Sequence, residues 1–293
     1  MVSILIPTYN YNVYPLVHEM YKQADKSGVD FEILVYDDAS TQDLLPNFPA
    51  DLKKLRYKKF DKNLGRTAIR YELAKDAKFY KLLMMDADVF PKDRFFFVKM
   101  IREMEKIPAD VYFGGINVPK QLTDKHQSLR WKYGKERESL ALSDRILHPY
   151  ISILCGAILV DKKIFLSQIS SLKNIKRYGL DVYFTFLLKK NQHKVHHYNN
   201  PITHLGLETN EDFLQKTHKA VETFRFLHTQ GFIERDYIKL VRVGEFLKQK
   251  VVGKLLGKLY AVFASILKKN LYSKNPSLRI FDLYKLMYYC SLK

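Results

Sequence analysis

The sequence predicts an α/β fold, a mostly parallel sheet flanked by helices, with a basic helical extension at the C-terminal end. Three observations carry that expectation. Short apolar runs at residues 2–6, 31–36 and 79–85 alternate with stretches of helical spacing, the pattern of parallel strands joined by right-handed crossovers. Each run stops abruptly in polar or acidic residues, and open parallel sheets bind ligands beyond the carboxyl ends of their strands. Finally, the positive charge is unevenly spread, collecting in the last fifth of the chain.

The 293 residues are enough for one large α/β domain or two modest ones, and 47% hydrophobic with 14% aromatic residues excludes a disordered chain. The two cysteines, Cys155 and Cys290, stand far apart without zinc-type spacing, which points to a reducing compartment. Met1 leads directly into Val2-Ser-Ile-Leu-Ile6, so no signal peptide is expected, and no apolar run reaches the ~20 residues that a spanning helix needs. These features read as cytoplasmic. A formal charge of +18 calls for an anionic partner: a nucleic acid, a phosphorylated small molecule or an acidic membrane surface. From Tyr237 onward twelve Lys or Arg face two acids, Glu245 and Asp282.

Taken in order, Val2-Ser-Ile-Leu-Ile-Pro-Thr-Tyr-Asn10 is a buried strand closed by Pro7, with polar residues such as Thr8 at its carboxyl end. Val13, Leu16, Val17, Met20, Tyr21 and Ala24 keep helical spacing up to Ser27-Gly28. The next strand, residues 31–36, ends in Asp37-Asp38; one of these carboxylates suffices for a helix cap or Asx turn, and the second exceeds that need. A third strand at 55–60 precedes Gly65 and a helix reaching about residue 78. On that helix Arg66 and Arg70 share a face, suited to a phosphate or simply to solvent. The apolar run that follows ends in Asp86-Ala-Asp88. Residues i and i+2 of an extended chain point the same way, so this pair either holds a hard divalent cation or forms a polar turn that stops the strand.

Ser-Ile-Leu-Ile-Pro-Thr-Tyr-Asn, Glu-Ile-Leu-Val-Tyr-Asp-Asp-Ala-Ser, Asn-Leu-Gly-Arg-Thr-Ala-Ile-Arg and Met-Met-Asp-Ala-Asp, in this order over the first ninety residues, resemble a family 2 glycosyltransferase. The resemblance implies a GT-A, Rossmann-like fold and metal-dependent, usually inverting transfer from a nucleotide-diphosphate sugar, UDP-sugar being the expected donor. It implies that Pro7 and Thr8 line the nucleoside pocket, Asp38 hydrogen-bonds the base, and Arg66 lies near the nucleotide. Asp86 would face the ribose or sugar, and Asp88 would ligate Mn2+ or Mg2+ bridging the diphosphate.

Further along, a helix is expected at 95–105, a strand at 111–116, a charged, partly helical loop at 120–144, and a buried strand at 151–160 interrupted by Gly156. In the family a small residue at such a strand leaves room beneath the sugar; a packing glycine explains it equally. Tyr178-Gly-Leu-Asp181 resembles the acceptor-side segment in which an acidic dipeptide supplies the general base. Asp181 matches the base, Leu180 replaces the first acid, and helix capping is the competing role for Asp181. Asn200-Pro-Ile-Thr-His204 resembles the segment in which related enzymes carry a metal-binding His, so His204 is a candidate second ligand beside a structural reading.

These elements divide the chain into a catalytic domain, residues 1–208, and a basic helical region, residues 209–293. Within the first, residues 1–118 form the nucleotide-sugar half and 119–208 the acceptor half. The tail keeps an apolar helical stripe from Val243 to Ile266, with Lys250, Lys254 and Lys258 elsewhere on the wheel, which suits an anionic membrane surface as well as packing on the domain. The leading expectation is a hexosyltransferase of polysaccharide or lipid-linked glycan assembly, peripheral on the inner face of the cell membrane. The alternatives are a nucleotidyltransferase, for which the Gly-rich signature after the first strand is missing, and a nucleic-acid-binding protein, which no recognition motif supports.

Overall fold

The computed structural model describes residues 1–41, 48–49 and 52–292, so Lys293 at the end of the basic tail lies outside the described residues. The chain divides into two compact units. The first comprises Met1–Val118, Glu138–Lys176 and Leu187–Gly206, and the second comprises Pro119–Arg137, Arg177–Phe186 and Leu207–Lys293.

The first unit is built on a seven-stranded sheet of order β3-β2-β1-β4-β8-β6-β9. Its strands are β1 (Val2–Thr8), β2 (Phe31–Asp37), β3 (Leu55–Lys59), β4 (Lys81–Met85), β6 (Val111–Phe113), β8 (Ala157–Asp161) and β9 (Val195–His197). β1, β2 and β3 run parallel; β1 and β2 are buried while β3 is half-exposed, with helix α1 (Tyr14–Asp25) crossing from β1 to β2 and α2 (Arg66–Asp76) from β3 to β4. β1 pairs in parallel with both β2 and β4, with Thr8 opposite Asp37 and Leu5 opposite Met84. The carboxyl ends of these three strands therefore meet at one sheet edge. β8 runs antiparallel between β4 and β6, the only reversed strand of the sheet among the described residues. A mostly parallel sheet flanked by helices is the architecture that the sequence predicted.

A small three-stranded sheet of order β5-β10-β7 stands at that edge, formed by β5 (Val89–Phe90), β7 (Ile116–Asn117) and β10 (Ile202–His204). It accounts for two departures from expectation. The strand expected at 111–116 is broken, because Gly115 takes φ 100° and sends the chain from the large sheet into the small one. Gly114 has no room for a side chain either, since a Cβ there would lie 2.3 Å from the carbonyl oxygen of Asn200. The strand expected from residue 151 begins only at Ala157, and the turn before it leaves Ile151 57% exposed. Over Gly156, a Cβ would meet Ile116, Ile202 and Val89 of the small sheet. The helices α3 (Phe96–Lys106), α5 (Leu142–Leu147) and α6 (Lys162–Ile169) complete the unit.

The second unit is helical: α4 (Ser128–Tyr133), the opening turns of α7 (Asp181–Lys190), α8 (Asn210–Thr229), α9 (Lys239–Lys248), α10 (Val251–Leu271) and α11 (Leu278–Ser291). Its core gathers Leu129, Phe213, Leu214, Leu271, Phe281 and Tyr284. Thr209 caps α8 by accepting from the Asp212 N–H at 3.1 Å, and Ser277 caps α11. The charged 120–144 segment, expected to be partly helical, carries short helical turns at 125–138 and from Leu142.

Candidate active site

Two acidic pairs sit at strand ends of the first unit, and the local backbone explains both. After β2, Asp37 accepts from the Ser40 N–H at 2.8 Å and from the Tyr57 hydroxyl at 2.9 Å. Burial first, and then that bond to Asp37, push the Tyr57 phenol well above its ordinary range. Asp38 is 4% exposed and accepts from two consecutive backbone amides, Leu64 N–H at 2.6 Å and Gly65 N–H at 2.9 Å. Its carbonyl oxygen takes the Asn63 side chain at 3.0 Å. Asp38 thus fastens the turn that opens α2, where Gly65 sits at φ 89°. Two charge-assisted bonds of this kind are each worth about 1.5–3 kcal/mol. Each carboxylate oxygen keeps a second lone pair.

Pro7 and Thr8 lie at the same edge. Thr8 is buried, donates its hydroxyl to the Tyr11 carbonyl at 3.0 Å, and accepts the Asp38 N–H on its own carbonyl at 2.9 Å. Asn10, at φ 50°, ties the loop after β1 to the loop after β2 by accepting from the Thr41 N–H at 2.9 Å.

After β4 the chain turns at Asp86-Ala-Asp88 and re-enters the small sheet as β5. The two carboxylates have different partners. Asp86 is gripped by guanidinium groups one helical turn apart on α2: Arg66 reaches Oδ2 at 2.7 Å and Arg70 reaches Oδ1 at 2.5 Å. Arg70 is 5% exposed and also donates to the Cys155 carbonyl at 3.1 Å, which fixes its fork. Asp88 faces His204 instead, with Nε2 of His204 3.0 Å from Oδ2 of Asp88. The antiparallel pairing of β10 with β5 sets His204 opposite Val89, and the Leu205 N–H donates to the Asp88 carbonyl at 2.8 Å. Gly206 closes against the pair, since a Cβ there would stand 2.6 Å from both Cβ and Oδ2 of Asp88. Tyr11 senses the same carboxylate: burial first, and the Asp88 charge second, raise its phenol.

Pro7, Thr8, Asp38, Arg66, Asp86, Asp88 and His204 all belong to the first unit. Asp181 belongs to the second, where it is half-buried in the first turn of α7. Leu180 before it is 4% exposed, and Gly179 takes φ 89° with a Cβ position 3.3 Å from Ala220, so an apolar residue seats this turn where an acid was the family expectation. Two residues at the site edge have contacts that the sequence reading did not foresee. Arg70 was legible as a helical neighbour of Arg66, but its partner was not, and nothing in the sequence marked Tyr11.

A divalent ion can be tested against this donor set. Asp88 and His204 offer one carboxylate oxygen and one imidazole nitrogen within hydrogen-bonding distance of each other, and no cluster of three such residues exists among the described residues. The pair fits an ion that draws its remaining ligands from a diphosphate and water.

The family whose description is Glycosyl transferase family 2 matches residues 3–162, more than half the chain and every strand end described above except His204. The chain belongs to glycosyltransferase family 2. No curated protein matches this family 2 member in sequence. Solved structures resemble it in fold. Mannosyl-3-phosphoglycerate synthase from Rubrobacter xylanophilus is 15% identical, with a TM-score of 0.57 over 80% of this chain and 76% of its own. Residues 1–349 of TarS from S. aureus, in complex with UDP-GlcNAc, are 18% identical, with a TM-score of 0.52 over 97% of this chain and 89% of their own. The mannosyltransferase PcManGT from Pyrobaculum calidifontis, in complex with GDP-Man and Mn2+, is 11% identical, with a TM-score of 0.54 over 99% of this chain and 85% of its own. The mixed sheet and the flanking helices are those of GT-A glycosyltransferases.

Proposed function

We propose that this family 2 glycosyltransferase moves a hexose from a nucleotide-diphosphate sugar, a UDP-sugar, to a hydroxyl of a glycan or lipid-linked acceptor, with inversion at the anomeric carbon. The observation that carries the reading is the Asp88–His204 pair at 3.0 Å, set beside an Asp86 that two arginines hold in place. Pro7 and Thr8 border the nucleoside, and Asp38 meets the base through the lone pairs that its backbone bonds leave. Arg66 and Arg70 orient Asp86 toward the ribose or sugar hydroxyls. Asp88 and His204 would hold Mn2+ or Mg2+, which when bound supplies Lewis-acid neutralisation of charge developing on the departing diphosphate. Asp181 takes the proton of the attacking acceptor hydroxyl, the duty that a direct displacement assigns to a carboxylate.

The proposed catalytic domain spans residues 1–208, with a nucleotide-sugar half to residue 118, and residues 209–293 associate with the anionic cytoplasmic face of the cell membrane, where a lipid-linked acceptor is found. A panel of UDP- and GDP-sugars, assayed with Mn2+ or Mg2+ for release of the nucleoside diphosphate in the presence of glycan and polyprenyl-phosphate acceptors, tests the reading. Release of the nucleoside diphosphate with an inverted glycosidic bond in the product is expected. Retention of configuration, or full activity in Asp181→Asn, would remove the direct displacement with Asp181 as base.

A further inference from the structure

The second unit leaves one helix face apolar, exposed and rimmed with lysine. α10 is held by its inner side: a Cβ on Gly253 would lie 2.3 Å from the Leu247 carbonyl oxygen, one on Gly257 2.8 Å from that of Cys290, and Leu271 is fully buried. Tyr260 on the same side hydrogen-bonds His218 at 3.0 Å and Tyr284 at 3.1 Å. The helix cannot roll, and its outer face is therefore fixed. Val251, Leu255, Val262 and Ile266 recur there at helical spacing with exposures of 82%, 53%, 65% and 55%, and Val252 and Phe263 widen the stripe. Lys254 and Lys258 run along one border, Lys268 and Lys269 close the end, and at the start Lys250 lies 4.2 Å over the ring of the exposed Phe246.

Charge identifies the occupant. From Phe246 to Phe281 there are seven lysines and one arginine and no Asp or Glu. A second copy of this face would set cations against cations. An acidic protein surface would satisfy the lysines but not a stripe of apolar side chains about 22 Å long. A bilayer interface with anionic headgroups satisfies both at once, with acyl carbon beneath the stripe and phosphate beside the lysines. α10 lies in the membrane plane rather than across it, since no described helix is long and apolar enough to span.

We infer that α10 is an in-plane anchor which docks the chain on an anionic lipid surface through Val251, Leu255, Val262, Phe263 and Ile266, with Lys254 and Lys258 as headgroup contacts. This rests on the membrane association proposed above and names its element; it is independent of the transfer reaction.

The test is flotation of the full chain with vesicles of phosphatidylcholine alone or mixed with phosphatidylglycerol, at low and high salt. Wild type is expected to float with the mixed vesicles and to be released by salt. Lys254→Gln with Lys258→Gln should weaken binding to mixed vesicles roughly 30-fold. Val262→Gln with Ile266→Gln should weaken it about tenfold or more. A control pair, Lys59→Gln with Lys106→Gln, removes equal charge from the first unit and should change little. Because both native cysteines are buried, a polarity-sensitive dye on Val262→Cys labels one site and should blue-shift only with mixed vesicles. Wild type that fails to float removes both the membrane association and its anchor. Wild type that floats while the α10 variants float equally, or while the control pair loses as much, leaves the membrane association and overturns α10. A dimer in light scattering that the apolar pair abolishes, with flotation unchanged, makes the face a contact between copies and overturns the inference. Vesicle binding through α10 by a chain that turns over no nucleotide sugar would keep this inference and remove the transferase reading.

Discussion

Two strand ends of the first unit each carry a pair of carboxylates, and the fold uses them differently. After β2, Asp37 and Asp38 are met by neutral donors, three backbone amides and the Tyr57 hydroxyl, so this pair builds the loops around the edge. After β4, Asp86 and Asp88 are met by ionisable groups: two guanidiniums on one, an imidazole on the other. A neutral donor bonded to a carboxylate holds backbone in place. A charged or titratable partner can be exchanged for a ligand of like charge, and the His204–Asp88 contact is of the kind that a divalent ion replaces. The lesson is that Asp-x-Asp and Asp-Asp look alike in sequence and are told apart by what the next element delivers to them.

The sharpest way to break the comparison is at Asp88. Asp88→Asn should lower metal-dependent donor turnover by about 10³-fold, several kcal/mol of barrier, while urea unfolding stays within about 0.5 kcal/mol of wild type. Asp38→Ala should act on stability first: two part-buried amides lose their acceptor, and urea titration should show roughly 3 kcal/mol less stability, with donor binding weakened as well by the lost contact to the base. If Asp38→Ala instead left stability intact and removed only donor binding, the β2 pair would be a ligand site of the same type as the β4 pair. Arg66→Ala leaves Asp86 with Arg70 alone, and the donor KM should rise about tenfold with the melting temperature unchanged, because the Arg66 side chain is 44% exposed. Smallest of all, Tyr57→Phe should cost about 1 kcal/mol of stability with no effect on turnover, since it removes one hydroxyl bond to Asp37.

Much of this arrangement was legible in the sequence for a physical reason. The strands β1, β2 and β4 and the helices α1, α2 and α8 announce themselves because their apolar periodicity and end signals are local. The edge at which Thr8, Asp38 and Asp86 meet follows once the strands are taken as parallel. What was not legible depends on contacts distant in the chain. The break between β6 and β7 needs the positive φ of Gly115 and the approach of Asn200 to Gly114. The late start of β8 needs the small sheet that covers Gly156. Arg66 and Arg70 were readable as one helix face, but that the face grips Asp86 rather than solvent depends on how α2 lies against the sheet at β1 and β2. The resemblance named His204 as a candidate ligand beside Asp88, but the contact itself rests on β10 pairing antiparallel with a two-residue strand, an element too short for any periodicity to reveal.

The account's central claim is that the β4 pair, and not the β2 pair, holds a divalent ion with a nucleoside diphosphate. Free Mn2+ measured by electron paramagnetic resonance, titrated with the chain in the presence and absence of UDP, tests it most directly. Wild type should deplete the free signal far more strongly with UDP present. Asp88→Asn and His204→Ala should lose that depletion while Tyr57→Phe keeps it. Depletion that survives Asp88→Asn at wild-type strength would contradict the account.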